Sequence, residues 1–167
     1  DIDSDGNLDY PDSILKEIDI VIAAIHAGFR QSSTVLTKRI VKVCQNKYVH
    51  IIAHPTGRLW GSRYAYDIDF EEVFKAAKDT NTALEINSFP QRLDLNDVNA
   101  RMAKDAGVKL VINTDSHIAE HLYMMKFGVA VARRAWLEKK DMLNTATLSR
   151  LKLKGHKKDF NNIKDML

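Results

Sequence analysis

Apolar and β-branched residues fall in short runs at residues 20–25, 49–53, 83–86 and 108–113, with stretches between them whose apolar positions recur at helical spacing. The runs predict strands, and the intervening stretches predict helices near residues 34–45, 70–80 and 95–106, with a shorter helix after His117. Punctuation residues agree. Asp69 followed by Glu72 has the spacing of a capping box, Asp94 and Asn96 stand where the next helix should begin, and Gly107 suits the left-handed residue that ends it. Four successive βα units, with strands apolar enough to be covered by helices, predict an α/β protein on a parallel sheet. Four units make half of a (β/α) barrel, which leaves two strand edges with unpaired backbone groups. Something else is therefore expected to complete it. Together with a first residue, Asp1, that is not methionine, this predicts that the chain is the C-terminal part of a larger protein.

Composition changes this picture little. A chain of 167 residues with 45% hydrophobic content supports one domain with a real core. No apolar run approaches the roughly 20 residues of a membrane span, and the charged start is not a signal peptide, so a cytoplasmic protein with no membrane partner is expected. The single cysteine, Cys44, lies in a helical pattern and reads as a small buried hydrophobe. Charge matters more. The net charge of +3 hides an asymmetry, because residues 133–158 hold nine lysines and arginines against Glu138 and Asp141, leaving the remainder acidic. Residues 146–167 read as a polar, basic and mobile tail, which is either a solvated face or a patch for a phosphate backbone.

The candidate chemistry lies at the strand ends. His26, His54 and the Asp115-Ser116-His117 triplet each follow a predicted strand. Parallel neighbours bring such ends together, so residues distant in sequence converge on one pocket. Neutral imidazole and carboxylate groups suit zinc, manganese or iron. His50, at the wrong end of its strand, and His156, in the basic tail, are expected in solvent, and His121 behind the ligands or at the surface. Residues 1–12 match most of an EF-hand loop, but there is no entering helix, Pro11 is penultimate, and Asp12 replaces the long glutamate, so a turn-rich connection is preferred. Arg58, in the loop after His54, and Asn87 and Arg92, after the third strand, either hold phosphate oxygens or pair with carboxylates. Met124, Met125 and Phe127 read as core filling. There is no Gly-rich phosphate loop, no nucleophile elbow and no Cys-x-x-Cys, so nucleotide folds and serine chemistry have no support.

Taken together, Ala24-Ile25-His26-Ala27-Gly28, Ile52-Ala53-His54-Pro55-Thr56-Gly57-Arg58-Leu59, Leu84-Glu85-Ile86-Asn87, Arg92-Leu93-Asp94-Leu95 and Ile112-Asn113-Thr114-Asp115-Ser116-His117 resemble the PHP (polymerase and histidinol phosphatase) domain of bacterial family X DNA polymerases. The opening Asp5-Gly6 with Leu8-Asp9-Tyr10-Pro11, and the stretch from Gly128 through Trp136-Leu137 to Asn144-Thr145, extend the likeness over residues 1–145. The resemblance implies the C-terminal part of a distorted (β/α)7 TIM-like barrel, with a multinuclear Mn2+ or Zn2+ site that hydrolyses phosphoesters. His26, His54, Asp115 and His117 fall on metal-ligand positions, with Asp115 and His117 catalytic through the metal and Arg58, Asn87 and Arg92 available to the phosphate. The implied activity is 3′-5′ exonuclease and 3′-end processing in DNA repair, with DNA and a polymerase domain of the same chain as partners. The family's remaining ligands precede Asp1, which implies that this chain alone is inactive. The alternatives are a small-molecule phosphatase of the histidinol-phosphatase type and a non-catalytic scaffold of a polymerase.

Overall fold

The computed structural model describes residues 1–147, 151, 153 and 154. Its elements alternate: α1 (Asp12–Leu15), β1 (Val21–Ala23), α2 (Ser33–Gln45), β2 (Val49–Ile52), α3 (Phe70–Asp79), β3 (Ala83–Asn87), α4 (Asp97–Asp105), β4 (Leu110–Asn113) and α5 (Met125–Arg134). The expected starts and stops have identifiable causes. The Ser32, Asp69 and Asn96 side chains accept from the backbone N–H of Val35, Glu72 and Asn99, which caps α2, α3 and α4. Gly107 takes a φ of 85° just beyond α4. Asp94 does not cap that helix; its carboxylate instead takes the Thr56 N–H at 2.9 Å, in the loop after β2.

The four strands lie in sequence order in one parallel sheet. This is α/β architecture with the βα succession of a partial barrel. Strand periodicity gives the sheet two different faces. Ile52, Leu84, Ile86, Leu110 and Ile112 join the main core with Leu36, Ile40, Val73 and Ala100 of the helices. On the other face Ile51, Ala83 and Val111 pack with Leu143. Farther along, that second face turns polar with Glu85, Asn87 and Asn113, which line a pocket. Expected open edges are partly covered: Leu110 of β4 bridges Met142, and the Asn144 amide pairs with the backbone of Ile112 as a surrogate strand. No helix among the described residues is long and apolar enough to cross a membrane.

Several expectations need correcting. His50 is buried, because its Nδ1 accepts the N–H of Val21 across the irregular β1–β2 pairing. Met125 and Phe127 are exposed rather than core, since α5 presents Gly128 and Ala132 to the sheet instead. The turn-rich opening is as expected: Asp3 accepts from the N–H groups of Asp5 and Asn7, and Gly6 has a φ of 76°. Cys44 is fully buried, which pushes its thiol up to about 11. Most of the basic tail, His156 included, lies outside the described residues, but Lys154 Nζ donates at 2.6 Å to both the Cys44 carbonyl and Thr82 Oγ1.

Gly128 lets α5 approach the ends of β3 and β4. A Cβ there would stand 2.1 Å from Ser88 Oγ and 2.5 Å from Ile112 Cγ2. Helix propensity alone favours alanine by about 1 kcal/mol, whereas overpacking costs about 1–3 kcal/mol. Gly128→Ala is accordingly expected to lower the midpoint of thermal unfolding by several degrees; an unchanged or higher midpoint would show that the helix is free to shift.

Candidate metal centre and its surroundings

The pocket at the C-terminal ends of the strands has a volume of about 460 Å³ and is lined by His26, His54, Glu85, Asn87, Asn113 and Asp115, with Asp1 at its rim. Three of the four candidate ligands thus share one cavity. His54 and Asp115 leave their strands with φ values of 31° and 52°, a left-handed turn that non-glycine residues take only under local constraint. The constraint at His54 is visible. Its backbone N–H donates at 2.7 Å to Glu85 Oε2, a contact made between the ends of β2 and β3.

His26 Nε2 and His54 Nε2 are 3.2 Å apart. Asp1 Oδ1 lies 2.7 Å from His26 Nδ1, which favours a proton on Nδ1 and leaves the Nε2 lone pair facing His54. His54 is 4% exposed, and its Nδ1 is buried without a partner among the described residues. Burial, then the Arg92 charge and His26, push its imidazole down to about 4. Burial and Arg92 lower that of His26 as well. Both rings are therefore neutral at pH 7, the form that ligates metals.

Asp115 is partly buried, which works upward, but the Asn87 amide at 3.3 Å and the Arg92 guanidinium at 3.0 Å hold its carboxyl below the usual carboxylate range. His117 is placed apart from the other three. It is exposed and does not line the cavity, and its Nδ1 faces the Asp115 carbonyl at 2.8 Å, so its Nε2 is left outward. His121, behind it, accepts the His117 N–H on Nδ1 and tilts against Phe89. Among the described residues, no group of three or more histidines, cysteines and carboxylates is arranged to hold a metal ion.

The three residues expected at the phosphate are all engaged with protein. Arg58 donates from Nε to the Arg92 carbonyl at 2.9 Å and from Nη2 to the Leu93 carbonyl, so most of its fork closes the loop. Asn87 donates to Glu85 and Asp115 and accepts the Phe89 N–H. Arg92 pairs with Asp115 through Nε, while its Nη1 is buried without a partner among the described residues.

Three residues that the sequence reading did not assign to the site build this end of the sheet. Glu85 accepts from the His54 N–H, the Asn87 amide and the Asn113 amide, and burial nevertheless raises its pKa. Asp94 is raised to about 6 by burial, against the opposing hydrogen bonds of Thr56. Arg39 of α2 is buried and donates to the carbonyls of Ile2 and Ala27 and to Gln31, fixing the backbone just after His26. An acidic residue inside an apolar strand, as in Leu84-Glu85-Ile86, was the one available signal.

Comparison with known proteins follows the same line. No family model matches the chain. It is 51% identical over 148 residues to the DNA polymerase/3′-5′ exonuclease PolX of Bacillus subtilis (strain 168), covering 89% of this chain and 26% of that protein. It is 35% identical over 153 residues to a probable phosphatase of Thermoanaerobacter sp. (strain X514), covering 86% of this chain and 60% of the relative. A probable phosphatase of Clostridium novyi (strain NT) is 32% identical over 174 residues, covering 95% of this chain and 67% of the relative. The chain thus spans about a quarter of the Bacillus protein. With these identities and the strand-end histidines in place, the chain belongs to the PHP family, in the branch carried by the bacterial family X DNA polymerases.

Proposed function

We propose that this pocket is part of the centre of a metal-dependent phosphoesterase that removes nucleotides from DNA 3′ ends in a repair polymerase. The observation that carries the reading is the His26–His54 pair. Two nitrogens bound to one tetrahedral zinc at about 2.0–2.1 Å stand roughly 3.3 Å apart, and the Nε2 separation is 3.2 Å. The pair fits two positions of one ion, and the described residues close no full set. We therefore assign His26, His54, Asp115 and His117 a share of a larger Mn2+ or Zn2+ site whose other ligands lie elsewhere in the intact protein. Bound there, such ions supply a water of lowered pKa and polarise the phosphoryl oxygen.

The protein's own groups prepare that chemistry. Neutral His26 and His54 offer lone pairs without first losing a proton, and Asp1 and the Asp115 carbonyl fix the tautomers of His26 and His117. Arg92 holds Asp115 at 3.0 Å and adds positive charge beside the pocket. Arg58 and Asn87 brace the loop and the carboxylates around it. A small-molecule phosphatase would use the same centre, and turnover of histidinol phosphate in place of an oligonucleotide separates the two.

The test is a manganese-supplemented exonuclease assay on the full-length polymerase carrying this segment. Asp115→Ala combined with His117→Ala is expected to cut the 3′-5′ rate at least 100-fold while polymerisation persists. An unchanged rate overturns the assignment, and a folded protein that binds no manganese points to a scaffold.

The buried ionisable groups also set a pH dependence. For His54, at about 4 in the fold against 6.5 ordinarily, the unfolded chain takes up the proton first as pH falls through that window, so acid destabilises. For Asp94, at about 6 against 3.8, the folded chain takes it up first, so acid stabilises between pH 6 and 4. Asp94→Asn removes only the second effect and keeps an acceptor for Thr56. Relative to the wild type, the variant is expected to lose on the order of 3 kcal/mol between pH 7.5 and 4, read from urea midpoints. A pH-independent gap would place Asp94 in contact with solvent.

A further inference from the structure

Beside the metal-centre pocket lies a second cleft that the proposed hydrolysis does not use. Its volume is about 660 Å³, and its lining among the described residues includes Phe29, Arg30, Arg63, Tyr64 and Tyr66, with no carboxylate. It grows from the same strand ends, since Gly28 follows His26 by two residues and Gly57 follows His54 by three. Arg63 is near enough for its charge to depress the His26 imidazole.

The loop that forms one wall is built to hold its shape. Leu59 and Arg63 exchange both backbone hydrogen bonds, at 2.9 and 2.7 Å, around Gly61, whose φ is 78°. The Trp60 N–H donates to the Gln91 carbonyl and the Tyr66 N–H to the Thr56 carbonyl, which anchors both ends of the loop. Arg63 Nε donates to the Gly57 carbonyl at 2.8 Å, and its guanidinium lies 3.7 Å from the Phe29 ring centroid. At Gly57 any Cβ would fall 2.3 Å from the Tyr66 ring, so loop and ring interlock. From this rigid base Tyr64 projects 94% exposed and Trp60 59% exposed, with the Arg58 guanidinium 5.0 Å from the Trp60 ring.

Exposed aromatic rings on an ordered loop, interleaved with arginines and free of acids, are the chemistry of a single-stranded nucleic-acid platform: rings take bases and guanidinium groups take phosphates. A free phosphomonoester needs no such surface. We propose that Trp60 and Tyr64, with Arg30 and Arg63, form a seat for bases and phosphates of a single DNA strand adjoining the reacting phosphate. The seat would select a polynucleotide end over a small phosphate ester. This rests on the phosphoesterase reading above and adds the residues that recognise its substrate.

The test uses the 167-residue chain with Trp136→Phe, so that fluorescence reports Trp60 alone. Titration with an oligothymidylate of eight nucleotides is expected to quench Trp60, and an abasic oligomer with the same phosphates is expected to bind at least fivefold more weakly. Tyr64→Ala should weaken oligothymidylate binding roughly tenfold with unchanged circular dichroism, because the ring is exposed and holds no core. Equal affinity for the two oligomers, or no effect of Tyr64→Ala, overturns the seat. Its failure is separable from failure of the hydrolytic reading: if the seat alone is wrong, Tyr64→Ala leaves both strand binding and manganese-dependent oligonucleotide cleavage by the full-length protein at wild-type levels, whereas if the hydrolytic reading is wrong, the strand binds without being cleaved.

Discussion

One buried carboxylate holds the working end of the sheet together. Glu85 receives the backbone N–H of His54 after β2, the amide of Asn87 at the end of its own strand, and the amide of Asn113 at the end of β4. Desolvation makes a carboxylate costly in this position, and three converging donors are what make it tolerable. The converse is the useful part. Since the charge can be satisfied only when all three strand ends meet around it, Glu85 fixes where His54 turns out of the sheet and where Asn87 reaches Asp115. The pocket's geometry is then a property of the sheet, which is stiff, rather than of the loops, which vary.

A second consequence concerns charge. Burial and the Arg92 guanidinium both act against protonation of His54 and His26, while Arg92 and Asn87 keep Asp115 ionised. The cavity therefore presents two neutral nitrogen donors and a carboxylate at the same pH. Arg92 is what makes these states compatible: it lowers all three groups at once, and its Nε contact with Asp115 prevents that carboxylate from pairing with a protonated imidazole instead.

The parts legible in the sequence were those set by neighbours along the chain. Strand and helix periods, the caps at Asp69 and Asn96, the left-handed Gly107 and the histidines after β1, β2 and β4 are local or periodic signals. The residues that escaped are defined by partners far away in sequence. His50 is buried because it meets Val21, Asp94 because it meets Thr56, and Arg39 because it meets Ile2 and Ala27. Nothing next to these residues in the chain announces those partners. Met125 and Phe127 fail for a related reason: helical spacing says which residues share a face, but the close approach at Gly128 decides which face meets the sheet.

This division between local and distant constraints bears on how such a centre acquires a substrate. A strand-end cluster can recognise the phosphorus it attacks and little beyond it, because its side chains are already committed to one another: Asn87 to Glu85 and Asp115, Arg58 to the loop carbonyls, Arg92 to Asp115. Selection between a nucleic-acid strand and a free phosphate ester must then come from groups that the sheet does not need. In this chain the rings of Trp60 and Tyr64 are such groups, exposed on a braced loop that leaves directly from His54. Changing those side chains leaves Glu85 and its three donors untouched, so under the proposed reading the surface beside the pocket can change while the geometry of the strand ends stays fixed.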